Sequence, residues 1–124
     1  MLLTARGGRN AQEGGAMLIA TEPVIGDSIA YAQKEILAAI RKGEHPSVLC
    51  WYAITTTYEE CNLFYILSGT EYRHPIYHRK KKKPLKLLGL AGSRQEAYEL
   101  VRSMIQHYVE QDALMEMKAA LEAL

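Results

Sequence analysis

Cysteine, tryptophan and phenylalanine are scarce in this chain: two, one and one in 124 residues. Cys50 and Cys61 are too few for a zinc cluster and match no redox spacing. They predict reduced thiols and a cytoplasmic setting. No apolar run approaches the ~20 residues that a membrane helix needs, so no membrane partner is expected. Arg6 and Arg9 precede no continuous apolar stretch, so no secretory leader is expected. A glycine-rich phosphate loop is also missing, because Gly89 and Gly92 flank Leu90-Ala91 without GxGxxG spacing. No cofactor is implied. The most informative absence is of acid: no Asp or Glu lies between Glu71 and Glu96.

That acid-free stretch is rich in cations. Residues 72–95 carry eight Lys and Arg, whereas residues 96–124 carry six acids against Arg102 and Lys118. The net charge of +1 therefore hides a basic middle and an acidic tail. At 48% hydrophobic and 23% charged, the composition is that of a globular domain with a core of its own. Residues 1–16 hold four glycines and few apolar side chains, which predicts a disordered extension. Residues 17–124 are read as a single α+β domain.

The first helix is predicted from Asp27 or Ser28 to Lys42. Ile29, Ala32, Ile36, Leu37 and Ile40 fall on one face at helical spacing. Gly43 supplies a left-handed stop and Pro46 follows. Val48 to Thr57 is rich in β-branched and aromatic residues and predicts a central strand. Asn62 to Ser68 predicts a second strand, Ser68 to Glu71 a tight turn, and Tyr72 to Arg79 a third strand that Pro75 places at an edge. Pro84 to Leu90 would be a fourth. Ser93-Arg94-Gln95-Glu96 is a capping box opening the last long helix. Its stripe runs through Ala97, Leu100, Val101, Met104, Ile105, Tyr108 and Val109. The stripe changes phase near Asp112, which predicts a bend or a second helix. The expected fold is α+β: a three- or four-stranded antiparallel meander flanked by an N-terminal helix and one or two C-terminal helices.

The functional expectation is a small non-enzymatic binding protein whose basic hairpin contacts DNA or RNA. Arg73, Arg79, Lys80, Lys81, Lys82, Lys83 and Lys86 are the candidate contacts, since clustered cations neutralise phosphates and release counterions. Tyr72 and Tyr77 beside them are candidates for stacking on bases. The same lysines would alternatively protect an edge strand or pair with the acidic tail. A second expectation is a homo-oligomer assembled through Leu114, Met117, Leu121 and Leu124, which lie out of phase with the preceding stripe. His74 and His78 stand four apart, but on a strand they would be about 13 Å apart and could not share an ion. Glu59-Glu60 is the one paired carboxylate at a turn, where solvent would keep both acids ordinary.

Overall fold

A computed structural model describes residues 17–79 and 82–124. The expected disorder of residues 1–16 falls outside them. Four strands form one mixed sheet: β1 (Leu18–Ile25), β2 (Tyr52–Thr55), β3 (Tyr65–Ser68) and β4 (Lys86–Ala91). Four α-helices accompany it: α1 (Gln33–Arg41), α2 (Gly69–Tyr72), α3 (Arg94–Glu110) and α4 (Met117–Ala123). The class is α+β, but the sheet is not a meander. Its order is β1-β4-β2-β3, with β1 parallel to β4 and the other two pairings antiparallel.

The difference has two physical sources. The first is β1, which sequence patterning did not reveal. Its apolar alternation is interrupted by Thr21, Glu22 and Pro23, and its register against β4 slips between Ile19 and Val24. Pro23 is tolerated because β1 is an edge strand, where a missing N–H leaves no neighbour unpaired. The second is the segment 72–79, which closes α2 and holds one 3-10 turn instead of forming a strand. Ser68 and Glu71 form a complete capping box, each side chain bound to the other's backbone N–H, and this starts α2. Pro75 then opens a 3-10 turn, Pro75–Tyr77, with His74 as its cap. Gly69 is required here: a Cβ would stand 2.5 Å from the Trp51 indole nitrogen.

Helices cover both faces of the sheet. On one face Ile29, Ile36 and Ile40 from the 27–41 helical segment meet Trp51, Leu67, Leu87 and Leu90. The helix there begins as a 3-10 segment at Asp27 and becomes α-helical at Gln33, and Gly43 takes the expected positive φ of 71°. Asp27 does not cap it through its side chain. On the other face α3 and α4 meet Ala20, Ile54, Leu88 and Ala91. Leu87 and Leu90 share a face although three residues apart, because Ile54 pairs with Gly89 and Thr55 with Leu87. The extra residue is a bulge that resets the alternation. Asp112, at φ 54°, breaks the helix after α3 and turns α4 back onto the sheet. No helix among the described residues is long and apolar enough to cross a membrane.

Candidate nucleic-acid interface

Among the described residues the basic segment follows the 3-10 turn with Arg79, resumes at Lys82 and Lys83 and enters β4 at Lys86. Arg73 ends α2 and is exposed. The Arg79 guanidinium stands 5.3 Å from the Tyr58 ring centroid, and its backbone N–H donates to the Tyr58 hydroxyl at 3.2 Å. Lys82 and Lys83 are exposed. Lys83 lies 3.8 Å from a Glu122 carboxylate oxygen, a weak contact for a side chain 75% exposed. Lys86 is half-buried and donates to the Glu122 backbone carbonyl at 2.6 Å. It is therefore a tether between β4 and α4 more than a free cation. Lys80 and Lys81 lie outside the described residues.

Behind the loop is a cleft of about 220 Å³, bordered by Leu18, Thr57, Tyr58, Lys82, Pro84 and Glu122 among others. Lys118 braces one wall: its ammonium donates to the Thr57 hydroxyl and the Asn62 carbonyl, both at 3.0 Å, and lies 3.6 Å from Glu122. Among the described residues the acidic tail reaches the basic segment at Glu122, whose carboxylate is shared by Lys83 and Lys118.

The turn after β2 is held rigidly. The Tyr65 hydroxyl donates to the Glu59 carboxylate, with oxygens at 2.5 and 2.6 Å, and Asn62 donates to it at 3.1 Å. These donors hold the Glu59 carboxyl below its ordinary range. Burial, followed by the hydrogen bond to Glu59, pushes the Tyr65 phenol up to about 12. Glu59 is exposed, as expected at a turn tip, but its carboxylate is bound by Tyr65 and Asn62 and not free. The ring of Tyr65 packs edge-on against Tyr58 and Tyr77.

The aromatic beside the cations is Tyr58, which sequence reasoning did not select. Tyr72 is 3% exposed, wedged edge-on against Trp51 and His78, so it presents no face to a ligand. Tyr77 is half-buried against Tyr65. His74 accepts from the Ile76 N–H through Nδ1, and His78 Nε2 lies 2.5 Å from the Tyr72 carbonyl. Both histidines organise the turn locally. Cys50 and Cys61 are free and exposed.

The four C-terminal apolar residues do not form one exposed strip. Met117 and Leu121 are fully buried in the chain's own core, because the turn at Asp112 restores their phase to the sheet. Leu114 and Leu124 are about half exposed, at 50% and 49%.

A second constellation sits at the opposite end of the sheet, where parallel β1 and β4 both finish. Ser93 caps α3 by accepting from the Glu96 N–H at 3.1 Å. Glu96 does not complete a box with Ser93. Its carboxylate reaches across to Gly92 N–H at 2.8 Å, the Ser28 hydroxyl at 2.6 Å and Ser28 N–H at 3.2 Å. These donors, Gly92 first, hold the Glu96 carboxyl below its ordinary range. The cradle that two helix starts would offer an anion is filled by the protein's own carboxylate. The basic cleft is therefore the better candidate for an external ligand. No protein family, characterised protein or solved structure significantly matches the chain.

Proposed function

We propose that the protein is a non-enzymatic binding module that takes nucleic acid on its basic segment, at Arg79, Lys82 and Lys83, and in the cleft behind them. One observation carries this reading. Lys82 and Lys83 project into solvent at the mouth of a cleft, with Arg79 alongside, on the acid-free segment of the chain. Exposed cations at a concave surface attract phosphate with little desolvation cost, and each contact releases counterions. The nearby Glu59 and Tyr65 couple is committed to holding its own turn. A fluorescently labelled oligonucleotide titrated at low salt tests the reading. The expected result is binding that weakens steeply with salt, and no measurable binding at low salt removes the proposal.

A homo-oligomer is the second reading. It rests on the apolar groove between α3, α4 and the end of β1, where Val24, Met104, Tyr108 and Leu124 meet. Sedimentation over a wide concentration range tests it, and a strictly monomeric mass discards it.

A further inference from the structure

We infer that the ligand of the basic cleft is a single strand with unpaired bases, one of which enters the cleft, and not a duplex. The inference rests on the nucleic-acid reading and specifies its substrate class. The exposed cations of the cleft are Lys82 and Lys83, the half-buried Lys86 is tethered to Glu122, and Leu18, Pro84 and Tyr58 add apolar surface to the lining. Leu18 remains 48% exposed at the start of an edge strand. A phosphate gains nothing from such a lining, whereas the face of a base does.

Size points the same way. At about 220 Å³ the cleft has room for roughly seven waters of about 30 Å³ each, enough for one planar ring system. It is smaller than the roughly 300–1,000 Å³ typical of pockets that enclose larger organic ligands. A duplex stacks its base faces internally and shows only edges and backbone, so it could not fill the cleft.

Glu122 fixes the orientation. Its carboxylate stands on the cleft wall, 3.8 Å from Lys83 and 3.6 Å from Lys118. That carboxylate can accept a hydrogen bond from a base's exocyclic amino group, which a phosphate cannot offer. The phosphates therefore track Lys82 and Lys83 outside, and the base points in. Adenine, cytosine and guanine, which carry exocyclic amino groups, fit this wall better than thymine or uracil.

Charge alone predicts the opposite preference, and this makes the test sharp. Duplex DNA releases more counterion per contact than a single strand, about 0.9 against 0.7. Three labelled ligands of equal length are compared at one ionic strength: an oligo(A) single strand, a duplex containing it, and an abasic strand that keeps only sugar and phosphate. The expected order places the single strand tightest, about tenfold or more above the abasic strand, the worth of one stacked base. Leu18→Gln, which replaces part of the apolar lining with an amide, should narrow that gap. Equal binding of the abasic and base-bearing strands, or tighter binding of the duplex, overturns the inference and leaves the nucleic-acid reading standing. Absence of binding to all three removes both.

Discussion

Replacing Glu96 with alanine removes the one side chain that ties the β1–α1 connection to the start of α3. Its carboxylate accepts three hydrogen bonds, from the Gly92 N–H and from the Ser28 hydroxyl and N–H. At about 1 kcal/mol net for each, the total is about 3 kcal/mol. The site is partly open to water, which can replace some of these donors' partners, so the expected loss is about 2 kcal/mol. With a urea slope of about 1.5 kcal/mol/M, the unfolding midpoint falls by about 1.3 M. The pH dependence follows from the direction of the shift. The folded carboxyl titrates below its ordinary value of 4.5, so its contribution is complete above that pH. It is lost as pH falls through the lowered folded value. Urea unfolding of parent and Glu96→Ala, measured by circular dichroism from pH 7 down to pH 3, should show a gap that closes at the acid end. Glu96→Gln controls for shape and should lose stability without the acid dependence. Equal midpoints at pH 7, or a gap that persists unchanged to pH 3, would refute the role assigned to the carboxylate.

Three further outcomes are expected. Gly69→Ala forces a methyl to within 2.5 Å of the buried Trp51 ring, and should cost about 1–3 kcal/mol in the same unfolding assay. Leu121→Ala opens a cavity beside Met117 and Leu88 and should cost about 2–5 kcal/mol; a variant as stable as the parent would take α4 out of the core. Glu122→Gln removes the acid facing Lys83 and Lys118, and should tighten binding of an abasic strand, which offers phosphates alone, severalfold at low salt, as read by anisotropy.

Much of the architecture was legible where local chemistry and tertiary packing agree. Ser93 does cap α3, and Ile29, Ala32, Ile36 and Ile40 do face the core. The cores of the first and second predicted strands, Tyr52–Thr55 and Tyr65–Ser68, pair as an antiparallel hairpin. What failed did so for stated reasons. Ser68 and Glu71 carry the same spacing as Ser93 and Glu96, but the helix they start is four residues long and leaves no apolar stripe to read. The strand β1 owes its place to pairing with β4, some 68 residues further along the chain, and Pro23 conceals it from propensity. The phase shift after Val109 signalled a break correctly. It did not tell that a positive-φ Asp112 would return Met117 and Leu121 to the same core. At the site, the density of cations was plain in the sequence. The cleft was not, because Leu18, Tyr58, Pro84 and Glu122 come together only through the sheet.

The central claim is that Lys82 and Lys83 hold phosphates at the mouth of this cleft. Its most direct measurement is the slope of log affinity against log salt for a single-stranded oligonucleotide, compared between parent and the Lys82→Gln/Lys83→Gln double variant. Two lost contacts at about 0.7 each should flatten the slope by about 1.4, with the folded signal unchanged because both side chains are exposed. Parallel slopes and equal affinities in the two proteins would contradict the claim.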